Sequence, residues 1–145
     1  MPDKVPQNLT NYTRLDPPYH MFTVPVMGIT LLVAIWYAIH NPSFYTVWLV
    51  IVAAAAIILT VKTRTYALKE QDRVIRLEER LRLATLLPES LRSRIGELSE
   101  SQLIALRFAS DAELPGLVEK TLSGKLAGAE IKKTIVNWRP DYWRI

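Results

Sequence analysis

The chain has 145 residues, a net charge of +4 at neutral pH and a hydrophobic content of 50%, about one domain's worth of polypeptide with its apolar residues unevenly spread. It contains no cysteine, which excludes disulfides, thiolate metal sites, iron–sulfur ligation and cysteine nucleophiles. From Met21 to Val61 there is no Asp, Glu, Lys or Arg, whereas residues 62–145 hold 16 of the 18 basic and 12 of the 14 acidic side chains; a membrane segment followed by a soluble tail is the simplest account.

In chain order, residues 1–20 form a polar N-terminal segment, expected in the cytoplasm. A hydrocarbon core about 30 Å thick needs about 20 helical residues, so the uncharged run supplies two crossings. Asn41-Pro42-Ser43 divides it, because proline lacks an amide donor and pushes its predecessor out of the helical region. The predicted spans are 21–40 and 44–62, with 41–43 as a periplasmic turn. Backbone groups in lipid must pair internally, which leaves a two-helix transmembrane hairpin. A cleaved signal peptide is not expected: polar residues precede the first span, no small-x-small site follows it, and a second span comes next. Pro25 is expected to bend the first span, and Gly28, Ala53, Ala56 and Thr60 suit close helix packing.

Lys62, Arg64, Lys69, Arg73 and Arg76 follow the second span, Lys4 and Arg14 precede the first, and the turn has no basic residue. The positive-inside bias therefore predicts a multi-pass inner-membrane protein with both termini cytoplasmic. Trp36, Tyr37, Phe44, Tyr45 and Trp48 flank the outer turn, and Tyr12, Tyr19, Phe22 and Tyr66 lie near the inner interface, where amphipathic rings anchor.

His20 and His40 bracket the first span, about 30 Å apart along a helix, so one chain cannot bring both to one metal. Each can serve as a lone axial ligand to haem or a chlorophyll-type pigment. The simpler reading, a histidine meeting headgroups or bonding a terminal carbonyl, is preferred, and no bound cofactor is expected.

Residues 63–87, with no Gly or Pro, continue the second span as a juxtamembrane amphipathic helix. Val74, Leu77, Leu81 and Ala84 follow heptad-like spacing, and Asp72–Arg76 and Glu78–Arg82 are i,i+4 pairs. This stripe is expected to pack on the same chain's tail, a partner chain being the competing occupant. Glu78 and Glu79 are read as a solvated face. Residues 88–145 read as a small cytoplasmic helical domain. Its helices open at Pro88-Glu89-Ser90, at a Ser99/Gln102 capping box, at a Ser110/Glu113 capping box and at Ala127, the last running to Trp138. The expected core comprises Leu91, Ile95, Leu98, Leu103, Leu106, Phe108, Leu114, Leu117, Val118, Leu122, Ile131, Ile135 and Trp138, with the long helix as a wall. The fold class is thus an all-α membrane protein: a transmembrane hairpin, a long cytoplasmic helix and a small helical tail.

No catalytic motif is present, and the tail has no histidine. "SGKLAG", residues 123–128, lacks the spacing and hydroxyl of a phosphate loop and reads as a helix break. Asp16 is expected to pair with Arg14 or with basic residues after the second span. Arg73, Arg76, Arg80, Lys132, Lys133, Trp138, Arg139, Trp143 and Arg144 are candidate contacts to a partner or to anionic lipid headgroups. The alternative is that the rings cap the core while the charges are solvated. Nucleic acid is disfavoured, because no recognition helix stands out.

"NYTRLDPPYH", "LKEQDRVIRLEERLRLATLLP", "SQLIALRFASDAELPGLVEK" and "IKKTIVNWRPDYWRI" resemble successive blocks of a bacterial family of small two-span membrane proteins, domain of unknown function 6526. The resemblance covers nearly the whole chain and implies a bacterial inner-membrane location and this layout, in lineages such as the acidobacteria. It brings no activity, cofactor or catalytic residue. The resulting expectation is a non-enzymatic accessory or scaffold subunit among other integral membrane subunits, with a homo-oligomer as a further arrangement. Two alternatives remain: a pigment- or haem-binding small subunit of a photosynthetic or respiratory complex using His40 or His20, and a membrane-tethered regulatory module binding nucleic acid or protein through the basic tail.

Overall fold

The computed structural model describes residues 6–13 and 15–141 and is helical, with no strand among the described residues. Two units divide the chain: one comprises residues 15–69, the other joins residues 6–13 to residues 70–141.

The first unit begins with Pro17 and Pro18, whose fixed φ suits a helix start. A π turn, Pro18–Thr23, leads into α1, Val24–His40. Pro25 has no amide to donate into this turn. Its neighbours compensate: the Val24 N–H reaches back five residues to the Tyr19 carbonyl, and the Thr23 hydroxyl donates to the Pro18 carbonyl at 3.0 Å. The distortion expected at Pro25 thus takes the form of a widened turn just before it.

Helix α1 closes where the Asn41 amide donates to the Tyr37 carbonyl at 2.9 Å. Ser43 caps α2, Phe44–Leu86, reciprocally: the Thr46 amide donates to Ser43 Oγ at 3.2 Å and the Ser43 amide to Thr46 Oγ1 at 3.0 Å. The Thr46 hydroxyl also donates to the Asn41 carbonyl at 2.9 Å, which ties the turn across Pro42. Arg64 of α2 returns to the start of the first helix, 3.7 Å from the Asp16 carboxylate and 5.4 Å from the Tyr19 ring centre, so the two helices form a hairpin. Both are long and apolar enough to cross a membrane, and no α1 residue is buried.

The second unit packs the C-terminal part of α2 with α3 (Glu89–Arg92), a 3-10 turn (Ile95–Glu97), α4 (Glu100–Leu106), α5 (Leu114–Gly124) and α6 (Gly128–Thr134). Its core contains Leu83, Leu87, Leu98, Leu103, Leu106, Phe108, Leu114, Leu117, Val118, Ile131 and Ile135, with Leu91, Ile95, Leu122, Leu126, Trp138 and Tyr12 packed against them. Each fully buried leucine or phenylalanine contributes about 1.5–3 kcal/mol of transfer free energy. Because Leu83 belongs to α2 and Leu87 directly follows its last residue, the long helix is a wall of this core. Tyr12, read from sequence as an interfacial anchor, instead lies 5.8 Å from Phe108 and 6.1 Å from Trp138, centre to centre.

Several local expectations are corrected. The helix expected to open at Pro88-Glu89-Ser90 and run to about Leu98 is instead two short pieces, Glu89–Arg92 and the 3-10 turn Ile95–Glu97. The Ser99/Gln102 capping box forms as read, but the Ser110/Glu113 box does not: Glu113 accepts from the Asn137 amide at 3.1 Å, a distant backbone donor in place of a local one. α6 stops at Thr134, not Trp138, because the backbone beyond it pairs with the loop after α4. Ser110 N–H donates to Asn137 O at 3.0 Å and Arg139 N–H to Phe108 O at 2.7 Å, around an antiparallel Ala109–Trp138 bridge. Between α5 and α6, Lys125 adopts a left-handed conformation (φ 48°), and a Cβ on Gly128 would stand 2.8 Å from the Ser101 carbonyl. "SGKLAG" is a helix stop and a point of close approach.

Candidate functional site

Both histidines sit at helix ends in the same local arrangement. His40 Nδ1 lies 2.8 Å from the Trp36 carbonyl, four residues back, with its ring 4.5 Å from the Trp36 ring. His20 Nδ1 lies 2.9 Å from the Asp16 carbonyl, also four residues back, and 3.2 Å from the Asp16 amide. At His40 the carbonyl can only accept, so Nδ1 carries the proton in that bond and Nε2 keeps its lone pair; at His20 the same Nδ1 faces both an acceptor, the Asp16 carbonyl, and a donor, the Asp16 amide, so either tautomer finds a partner there. Both rings are exposed. The His40 imidazole therefore ties off a helical carbonyl and still presents one nitrogen that a haem or chlorophyll-type centre could take, and His20 presents the same in its Nδ1–H tautomer. No three potential metal-ligating side chains gather among the described residues.

The cationic and aromatic residues fall into different places. Trp138 is half-buried on Phe108, centres 5.2 Å apart. Lys132 stands 4.3 Å from the Tyr12 ring centre, a cation–π contact on the same aromatic group. Arg139 reaches the Glu79 carboxylate at 3.6 Å. Arg76 bonds the Asp72 carbonyl at 3.2 Å and pairs with Glu100. These four hold the tail domain together. Arg73, which meets Glu70 at 3.4 Å, and Arg80 and Lys133 are exposed. Trp143 and Arg144 lie outside the described residues, as do Lys4 and Arg14. Asp16 pairs with Arg64, a basic residue after the second apolar run.

The most polar part of the interior was not legible as a site. Glu79, read as solvated, is 4% exposed. Its Oε2 accepts from Arg82 at 3.0 Å, and Arg82 goes on to Asp111 at 2.6 and 2.8 Å and to the Ala109 carbonyl at 2.7 Å. The expected i,i+4 partners give way: Arg82 takes Glu79 rather than Glu78, and Arg76 takes the Asp72 backbone rather than its carboxylate. Burial raises the Glu79 pKa above the ordinary carboxylate value, and the Arg82 and Arg139 cations oppose that rise. A buried cation, Arg107, pairs with Asp141 at 3.5 Å and lies 4.4 Å from the Phe108 ring centre. Gln7 holds the Asp141 backbone from both sides, donating to its carbonyl at 3.1 Å and accepting from its amide at 2.7 Å. Charge pairs this far apart in sequence leave no local spacing to read. The one available signal was the i,i+3 spacing of Glu79 and Arg82.

The heptad stripe also departs from expectation. Val74, Leu77 and Leu81 are 54, 60 and 62% exposed. The face that docks on the tail is the opposite one, through Ile75, Glu79, Leu83 and Leu87. The docking face satisfies Glu79 and Arg82 with Asp111, Arg139 and the Ala109 carbonyl.

Neither the curated proteins nor the solved structures contain a match to this chain. Residues 1–145 match the family described as "Family of unknown function (DUF6526)", and the chain belongs to that family.

Proposed function

We propose that the protein is a non-catalytic integral membrane subunit of the bacterial inner membrane, whose hairpin fills a lipid-facing position and whose helical tail serves as a cytoplasmic scaffold. The observation that carries this reading is the exposure of the uncharged run. Leu32 is 68% and Phe44 88% exposed, and the same holds for most large side chains of the hairpin. A water-soluble protein rarely exposes more than a few hundred Å² of contiguous apolar surface, whereas lipid solvates such a surface. The basic residues after the second span and their absence from the turn favour cytoplasmic termini. Aromatic rings around the turn suit a headgroup layer.

A scaffold rather than an enzyme is favoured by where the reactive side chains go. Glu79, Arg82, Arg107 and Arg139 are consumed by ion pairs that close the tail domain. Purification from native membranes tests this. Co-purification with a stoichiometric integral membrane partner is expected; consistent isolation without any partner subunit contradicts it. Resistance to carbonate washing is the separate test of membrane insertion.

A second reading rests on one observation, the Nδ1 bonds of His20 and His40. Haem- and metal-ligating histidines usually donate their other ring N–H to a carbonyl or carboxylate; the exposed His40 ring is so arranged, and the exposed His20 ring is in its Nδ1–H tautomer. A pigment or haem would bind one copy through one histidine. An absorption spectrum decides: a visible band lost in His40→Ala or His20→Ala supports it, and a colourless protein complex removes it.

A further inference from the structure

Helix α2 has two apolar faces, and among the described residues only one is packed against the rest of the chain. Numbering Val74 as position a of a heptad puts Leu77 at d, Leu81 at the next a and Ala84 at the next d, all exposed. The residues that dock on the tail domain, Ile75, Glu79, Leu83 and Leu87, occupy b, f, c and g of the same repeat. The two faces are thus nearly opposite one another, and the tail domain does not obstruct the first.

We propose that the Val74–Leu77–Leu81–Ala84 face joins two copies of this chain in a short parallel coiled coil. The flanking charges choose the occupant. Arg73 stands at g and Glu78 at e, both exposed. In a parallel two-stranded coil a g residue meets the e residue five positions later on the other strand, so Arg73 meets Glu78 of the second copy, twice by symmetry. An antiparallel pair would set like residues of the g and e positions together and lose both attractions. Among the described residues Arg73 meets the exposed Glu70 at 3.4 Å, a contact weak enough to exchange.

The parallel arrangement also agrees with the proposed membrane reading, on which it rests in part: two copies anchored by the preceding apolar segment enter the cytoplasm in the same direction. Glu70, at d one heptad earlier, and Pro88, just past the helix, limit the seam to about two heptads. Four side chains per copy fall short of the roughly 800 Å² that a stable soluble pair buries on each partner. Association therefore depends on confinement in the bilayer, which raises the effective concentration of one copy around another.

The cysteine-free chain allows a direct test in membranes containing the full-length protein. Single replacements Val74→Cys, Leu77→Cys, Leu81→Cys and Ala84→Cys are compared under mild oxidation with Lys69→Cys and Leu86→Cys, exposed positions c and f off the seam. Disulfide-linked species of twice the chain mass are expected at the four seam positions, at least several-fold above the two controls. Equal cross-linking at all six, none at the seam, or seam adducts to a polypeptide of another mass overturns the proposal. In the Leu77→Cys background, R73E or E78R alone should lower the dimer yield several-fold and the double exchange R73E/E78R should restore it; failure to restore contradicts the parallel register. Carbonate washing of the same membranes separates the two ideas. Pelleted protein without seam cross-links sinks the dimer alone, and protein in the supernatant sinks the membrane reading.

Discussion

The hairpin and the tail domain are built from similar aliphatic residues and treat them in opposite ways. Leu106 in the tail is fully buried, whereas Leu32 in the hairpin faces outward. The tail hides its leucines behind ion pairs that reach across the sequence, and the hairpin hides almost nothing. On the proposed membrane reading, the difference is one of solvent. A domain folded against water must collect its apolar surface and pair its charges, while a segment solvated by lipid, as proposed for the hairpin, needs only internally bonded backbone and an absence of charge.

That contrast can be broken most forcefully at Arg82. Removing it leaves Glu79 buried with only the more distant Arg139, and loss of one partner of a buried pair costs about 3–5 kcal/mol. Denaturant unfolding of the full chain in detergent should show Arg82→Ala destabilising the tail by that order. The deficit should shrink on acidification. Burial already holds the folded-state pKa of Glu79 above its unfolded value, so this group's contribution is greatest below the unfolded pKa and is lost as pH rises through the folded one. Without Arg82 the folded value rises further, and the variant should gain more stability than the native chain between pH 7 and pH 5. A deficit that widens over that range would contradict the burial argument.

The comparison sharpens with matched leucines. Leu106→Ala empties a fully buried site and should cost about 2–5 kcal/mol. Leu32→Ala should leave unfolding of the tail within about 0.5 kcal/mol of the native chain. Equal effects at the two positions would mean that the two regions share one core. A smaller effect is expected at the α4 cap: Ser99→Ala removes the acceptor of the Gln102 amide, 3.3 Å away, and should cost about 1 kcal/mol by the same measurement.

Much of the helical layout was legible because its determinants are local. The uninterrupted α2 follows from the absence of Gly and Pro between Phe44 and Leu86, the hairpin turn from Asn41-Pro42-Ser43, and the start of α4 from Ser99 and Gln102. The core residues of the tail helices from Leu91 onward were recognisable in the sequence, whereas Leu83 and Leu87 were not. Illegible were the features fixed by residues distant in sequence. The heptad count pointed to Val74, Leu77 and Leu81 as the docking face, yet the tail takes the face of Ile75 and Leu83, where Glu79 and Arg82 find Asp111 and Arg139. The last helix ends early because Asn137 and Arg139 pair with the loop at Phe108–Ser110. Nothing near either segment announces those partners. The candidate site was the least legible: two histidines were found, but the charges expected to bind partners were partly enlisted by the fold.

The central claim is that residues 21–61 lie in lipid with the turn outside and the tail inside. A single cysteine at Asn41 and, separately, one at Lys69 can be challenged in intact cells with a membrane-impermeant thiol reagent, after opening the outer membrane. The account predicts that Asn41→Cys reacts at once and Lys69→Cys only when the inner membrane is permeabilised. Reaction at Lys69→Cys in intact cells, or at Asn41→Cys only from the interior, would contradict it.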